Sequence, residues 1–432
     1  MIATNRLKAH PFIALILSSI FVGFSTGIEP QRIIDLITSG FGGILAGIGI
    51  IVVLGTVMGV FVEKSGALNV IANCIIKLFG SRHLIAAISL LGATVSVPVF
   101  CDSGFIILSR LVKKLARLNR TNSAPLSLSL GAGLYTTHTL IPPTPGPIAV
   151  AGNLSIGGQL GVIILCGVVV AIPVLFVSTL YCRRLSRSIT WEEGEVDDRL
   201  EDAKAQELSL GWAITPIFTP IFLISLASII QIAGVENGWS SFVLFIGNPT
   251  IALLLGCLLA ILQVKPVATL DEVGELFKKG ITQSGPIILI TGAGGSFGSV
   301  LKGTNLGSLL SEQLGDSVSS FPVLAASAFV VAALLKTAQG SSTSALVIAS
   351  AMFAPILIGV DFTIFQMALI VMAFGGGAMT VSHANDSYFW VVTQFSGLTV
   401  KQGYRWFSML TVLQGATVLI TVLVLYFLTL MF

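Results

Sequence analysis

Several stretches of this chain, residues 11–27, 41–62, 157–181, 212–232, 240–262 and 406–432, are almost unbroken runs of apolar side chains. Each approaches or exceeds the ~20 residues that a helix needs to cross a lipid bilayer. So much continuous apolar sequence cannot be hidden in one water-soluble core. Only 10% of the 432 residues are charged, against about 25% in soluble domains, so polar groups are too few to cover the surface. The runs do not alternate with a period of two, which disfavours an outer-membrane barrel. The expected class is an all-α integral membrane protein, multi-pass, in a bacterial inner membrane.

Other function classes lose support on the same reading. The net charge is +3 and its cations gather in short loops between apolar runs, so a nucleic-acid partner is not expected. Five cysteines, Cys74, Cys101, Cys166, Cys182 and Cys257, are scattered without metal-ligand spacing and read as small core residues. No metal and no cofactor is expected. Arg6 and Lys8 before an apolar run imitate a secretory signal, but no small-residue cleavage site closes the run, which favours a retained first span.

Lysine and arginine placement sets the orientation, because these residues collect on the cytoplasmic side. Residues 110–120, with Arg110, Lys113, Lys114, Arg117 and Arg120, read as a cytoplasmic loop. So do residues 182–209, which open with Arg183, Arg184 and Arg187 and continue into an acidic run over 192–202. Lys265, Lys278 and Lys279 mark a third such loop, and Lys401 with Arg405 a fourth. Lys77 and Arg82 precede the apolar segment 83–109, and Arg110 follows it. Both ends want the cytoplasm, so this segment is expected to enter and leave on one face as a re-entrant hairpin.

The second half supports the same idea. The register that lays Gly55–Gly59 (GTVMG) on Gly294–Gly298 (GGSFG) carries Asp102 onto Ser341 and Pro143 onto Ser382. Polar, helix-breaking clusters thus fall opposite one another without gaps, and paired interruptions in two halves point to a transporter's binding site. Parity from a cytoplasmic N-terminus makes the halves inverted. The expected organisation is a first inverted repeat over 1–181, with a hairpin at about 83–109 and a broken helix at about 124–150. A connector and linking span follow over 182–239. A second repeat covers 240–432, with a hairpin at about 321–352 and a broken helix at about 360–390. Nine full crossings are expected besides the two hairpins, with residues 67–79 and 306–314 shorter and amphipathic.

Four clusters place costly groups in apolar surroundings: residues 100–104 around Asp102, 136–147 with His138 and four prolines, 339–344 rich in hydroxyls, and 382–386 with His383 and Asp386. A broken helix frees backbone N–H and C=O groups that must line a cavity or meet a ligand. Helix N-termini carry partial positive charge, so facing hairpin tips make a carboxylate site without a formal cation. The hydroxyls suit a polyhydroxylated ligand. Asp102 is the foremost candidate, since burying an ionisable group in an apolar hairpin costs several kcal/mol. Asp386 reads equally as a site residue or a helix cap. His138 and His383 read equally as ligand or proton groups or as core histidines. Lys336 reads either as the partner of a carboxylate or as a snorkelling side chain. The glycine-rich residues 292–298 lack the Lys-Ser/Thr of a phosphate loop and read as close helix packing.

At these clusters the sequence resembles the gluconate:proton symporter (gluconate permease) family. The resemblance rests on residues 98–105 (PVFCDSGF), 138–147 (HTLIPPTPGP), 290–301 (ITGAGGSFGSVL), 336–341 (KTAQGS), 382–390 (SHANDSYFW) and 397–402 (GLTVKQ), in order over most of the chain. It implies proton-driven import of a gluconate-like sugar acid or a relative such as glycerate or D-serine. It also implies the inverted-repeat ion-transporter architecture, commonly as a homodimer in membrane lipid. Cys101, Ser103, Thr144 and Lys336 depart from the residues the family pattern leads one to expect. A lysine at 336 in place of arginine loses bidentate geometry, so the departures bear on which acid is carried.

On this reading Asp102 and Asp386 are the proton-coupling candidates. Ser103, Gly104, Thr137, His138, Gln339, Gly340, Ser341, Ser342, Thr343, His383 and Asn385 are the substrate-binding candidates. The expected partners are a small organic anion and a proton, with sodium as the alternative coupling ion. An intramembrane enzyme built on Asp102, His138 and His383 has no metal-type histidine spacing or nucleophile elbow behind it. A passive channel is disfavoured by the inverted repeat.

Overall fold

A computed structural model of the chain describes residues 10–80, 83–188, 208–232, 238–264, 268–304, 320–357, 360–384 and 386–431. Arg82, Lys265, Asn385, the acidic run 192–202 and the expected amphipathic segment 306–314 lie outside the described residues. Among the described residues there are helices and no strands.

In chain order these are α1 (Pro11–Ser25), α2 (Pro30–Lys64), α3 (Ala67–Phe79), α4 (Leu84–Val95), α5 (Cys101–Leu118) and α6 (Ser123–Leu140). Next come α7 (Pro145–Asn153), α8 (Leu160–Ser188), α9 (Leu210–Ile232), α10 (Gly238–Ile246), α11 (Pro249–Val264) and α12 (Leu270–Gly303). The last are α13 (Phe321–Gln339), α14 (Ser342–Phe353), α15 (Ile364–Met379), α16 (Ser387–Phe395) and α17 (Val400–Thr429), which contains a π-helical stretch at Gly403–Ser408.

Six of these, α2, α8, α9, α12, α13 and α17, are long and apolar enough to cross a membrane, and α10 with α11 makes a seventh if that bent pair is one span. Large apolar side chains remain exposed on the outside, Phe21 at 72% and Phe176 at 63% among them. A soluble protein rarely leaves so much contiguous apolar surface in water. The chain is a multi-pass membrane protein.

Helix boundaries depart from the sequence expectations in one consistent way. Residues 110–118 are the last two turns of α5 and not a loop. Lys278 and Lys279 sit inside α12, and Lys401 and Arg405 inside α17. Lysine, arginine and leucine are good helix formers, so charge marks where a helix leaves lipid and not where it ends. The chain turns only after Leu118, where Arg120 adopts a positive φ of 48°. Residues 240–262 are not one straight span: α10 and α11 meet at 62°, where Gly247 precedes a fresh start at Asn248 and Pro249. Proline at the first helical position fits such a start because its missing N–H is an orphan there anyway.

The long helices α2 and α12 pack against each other. Their crossing is a backbone contact: a Cβ on Gly40 would lie 2.5 Å from the Gly295 carbonyl oxygen, and one on Gly295 2.6 Å from that of Gly40. Ser296 adds a hydrogen bond to Ile37 O at 2.8 Å. Elsewhere α4 packs against α6, and α13 against α15. Each contact has a glycine at a close backbone approach. A Cβ on Gly133 would run into Ser89 O, and one on Gly377 into Phe329 O. Small residues at such contacts let backbones approach where lipid offers no hydrophobic drive for association.

Candidate substrate cavity

Four helix interruptions lie at the sequence clusters. Between α4 and α5 the chain turns through Ser96–Phe100, where Pro98 cannot continue a helix. Phe100 is the N-cap of α5, and Asp102 stands in its first turn. Between α13 and α14, Gly340 takes a left-handed φ of 79° and ends α13, a conformation open to glycine at no steric cost. Ser341 then caps α14, its hydroxyl accepting from Ser344 N at 3.2 Å. Between α6 and α7 lie residues 141–144, and between α15 and α16 residues 380–386. Asp386 caps α16 by accepting from Tyr388 N at 3.1 Å.

The starts of α5, α14 and α16 face one cavity of about 240 Å³. Asp102, Ser341, Ser342, Thr343, Ser344, Asp386 and Ser387 give it a polar lining, with His138 from α6 beside them. Pro286, Ile287 and Ile290 of α12 supply an apolar wall, and Tyr388 another. Each helix N-terminus carries the equivalent of roughly half a positive charge. Three of them around one space favour an anion.

Lys336 is 1% exposed. Its ammonium lies 2.6 Å from Asp386 Oδ2, donates to Gly340 O at 2.8 Å and sits 5.7 Å over the Tyr135 ring. The Ser382 hydroxyl also donates to Asp386 Oδ2. Of the two sequence readings of Lys336, the structure shows carboxylate pairing. Asp386 does both things considered for it, capping α16 and facing the cavity. Asp102 differs, because its Oδ1 is buried with no hydrogen-bond partner among the described residues. The same holds for His138 Nδ1. Buried polar atoms are almost always paired, so two orphans lining one cavity make it the candidate site.

Asp102, His138, Gly340, Ser341, Ser342, Thr343 and Asp386 are therefore brought together. Ser103, Gly104, Thr137, Gln339 and His383 are not among the cavity's lining residues. The Cβ position of Gly104 meets Leu134 at 2.7 Å, which makes that glycine a packing contact. Thr137 is buried in α6, and His383 Nε2 lies 3.0 Å from Thr337 O. Gln339 Oε1 is a further buried atom with no hydrogen-bond partner among the described residues. Sequence reasoning missed Tyr388, Ser387 and the α12 wall. The signal for the wall was Pro286 inside an apolar helix, with Ile287 and Ile290 on the same face at helical spacing. No group of three or more histidine, cysteine, aspartate or glutamate side chains among the described residues could hold a metal ion.

The family profile described as GntP family permease matches residues 1–428. The chain belongs to the GntP permease family. Among its relatives, an uncharacterised permease of Haemophilus influenzae is 34% identical over 95% of this chain and 86% of the relative. The gluconate permease of Pseudomonas aeruginosa is 31% identical, covering 96% and 92% of the two chains. The L-idonate transporter of Escherichia coli is 29% identical, over 94% and 92%. The fold is similar to the Alcanivorax borkumensis YdaH transporter, with a TM-score of 0.69 at 16% identity over 96% and 98% of the chains. As a GntP permease the chain is a membrane transporter and not an enzyme.

Proposed function

We propose that this GntP permease imports a small hydroxylated carboxylate, a gluconate-like sugar acid, by proton symport and alternating access. The observation behind this reading is the cavity itself: three helix N-termini and a row of hydroxyls surround a carboxyl oxygen that has no hydrogen-bond partner among the described residues. The N-termini and the hydroxyls of Ser341, Ser342 and Thr343 suit the carboxylate and hydroxyls of such a ligand. The relatives named gluconate permease and L-idonate transporter are, by those names, sugar-acid carriers.

Coupling follows from charge. An ionised Asp102 and a ligand carboxylate about 5 Å apart would repel by roughly 3 kcal/mol at an effective dielectric constant near 20. A proton on Asp102 removes that repulsion, so anion and proton bind best together. In this reading Asp102 carries the coupling proton. Gly340, Ser341, Ser342, Thr343 and His138 hold the ligand at the cavity wall. Ser103, Gly104, Thr137, Gln339, His383 and Asn385 act around it, and Asp386 is held by Lys336. The two halves, 1–181 and 240–432, work as inverted repeats about this cavity. The protein sits in the bacterial inner membrane with its N-terminus in the cytoplasm, as a homodimer.

The test is uptake of radiolabelled gluconate, glycerate and D-serine into proteoliposomes under imposed proton or sodium gradients. Accumulation of one acid under an inward proton gradient, lost in Asp102→Asn while exchange continues, is the expected result. Accumulation that follows external sodium at fixed pH would overturn proton coupling. Uphill uptake preserved in Asp102→Asn would remove that residue from the role.

A further inference from the structure

We propose that a second cavity, at the basic end of α4, α6 and α8, binds the phosphate of an anionic phospholipid. This cavity is separate from the substrate cavity and has a volume of about 690 Å³. Its polar lining comes from His83, Asn119, Thr121, Arg183, Ser186 and Arg187.

Arg183 and Arg187 lie one turn apart on the last stretch of α8, so both reach the same space. Guanidinium groups match phosphate oxygens with two parallel donors each. Residues 66–188 contain a single acidic side chain, Asp102. It stands in the first turn of α5, about 26 Å along that helix from Asn119 at 1.5 Å per residue. Lys113, Lys114, Arg117 and Arg120 add to the cationic character of the same end of the sequence unit. Basic pockets between membrane helices are suited to lipid head groups.

The helix below the arginines decides for a lipid over a free phosphate. Leu165, Val169, Ile172, Phe176 and Leu180 recur every three or four residues on one face of α8, and all are exposed. Ile172 and Phe176 are each 63% exposed. The same face continues into Arg183 and Arg187. An apolar strip that ends at two guanidinium groups has the layout of an acyl chain beneath a phosphate. Tyr181 stands at the junction, a position that tyrosine favours at the membrane–water boundary.

The test uses the purified full-length protein in detergent and native mass spectrometry. The probes are added phosphatidylglycerol, with phosphatidylcholine as the zwitterionic control, and inorganic phosphate in a separate arm. Wild type should retain phosphatidylglycerol about tenfold or more over phosphatidylcholine. Arg183→Gln with Arg187→Gln should lose that preference, Phe176→Ala should weaken it, and excess phosphate should not displace the lipid. Equal retention by wild type and the folded double variant would overturn the site. Displacement by inorganic phosphate, with Phe176→Ala without effect, would overturn the lipid in favour of a free anion. Should the double variant fail to fold, Arg183→Lys with Arg187→Lys keeps charge and loses the fork, and unchanged lipid preference there would overturn the role of the guanidinium pair.

Discussion

At the scale of residues, the contact between Lys336 and Asp386 stands out because neither charge could be left alone. Removing one partner of a buried ion pair exposes the other to the full cost of desolvation, about 3–5 kcal/mol, whereas replacing both is often nearly neutral. Lys336→Met and Asp386→Asn should therefore each lower stability by that order, and the double variant should recover most of the loss. Thermal unfolding of the four proteins in detergent measures the coupling, and simple additivity of the two single losses would rule out the pairing as a stabilising unit. The sequence showed both residues as costly but left each with two readings. Fifty positions separate them, and only the fold, by bringing the end of α13 to the start of α16, selects the partner. The position of Asp102 at a helix break was legible for a simpler reason: an acid close to proline and glycine within an apolar stretch points to an interrupted helix.

At the scale of elements, breaks were easier to read than ends. Pro98, the prolines from 142 to 147 and Gly340 forbid or discourage helix locally, so the interruptions at the ends of α4, α6 and α13 were visible in the residues. The ends of α5, α12 and α17 were not, since lysine and arginine are as comfortable in a helix as beyond it. The bend between α10 and α11 was hidden by continuous hydropathy on both sides of Gly247 and Asn248. Close packing separates glycines that look alike in the sequence. Gly133→Ala would press its methyl onto Ser89 O and should destabilise by about 1–3 kcal/mol, the usual cost of overfilling a packed contact. Gly43→Ala in α2 meets nothing within 4 Å and should be neutral or stabilising by up to about 1 kcal/mol, through helix propensity. Melting curves of the two variants in the same detergent check the contrast, and equal losses would show that the α4–α6 approach is looser than described.

At the scale of the whole molecule, the proposed transport cycle requires the cavity to open to one side at a time. Ser341 is exposed at the cavity and follows the break between α13 and α14, which makes it a suitable reporter. In a background with Cys74, Cys101, Cys166, Cys182 and Cys257 replaced, Ser341→Cys should react with a membrane-impermeant maleimide from one face of oriented vesicles. Substrate should protect it, and reversing the proton gradient should change which face reacts. Simultaneous reaction from both faces would mean an open pore and end the alternating-access reading.

The α2–α12 crossing bears on which parts are free to move in such a cycle. Slipping one helix past the other by a turn would bring Ile44 or Leu36 to the place of Gly40, and Thr291 or Ser299 to the place of Gly295. Each would drive a side chain into the opposite main chain, where even a methyl carbon has only about 2.5 Å. A ratchet of one turn is closed to this pair, so it acts as a fixed post with a single notch. The wall formed by Pro286, Ile287 and Ile290 is carved on that post, while the other walls hang from α5, α14 and α16. In the proposed cycle a ligand would lie between this wall of fixed register and the walls carried by α5, α14 and α16, and the motion would fall to those three helices.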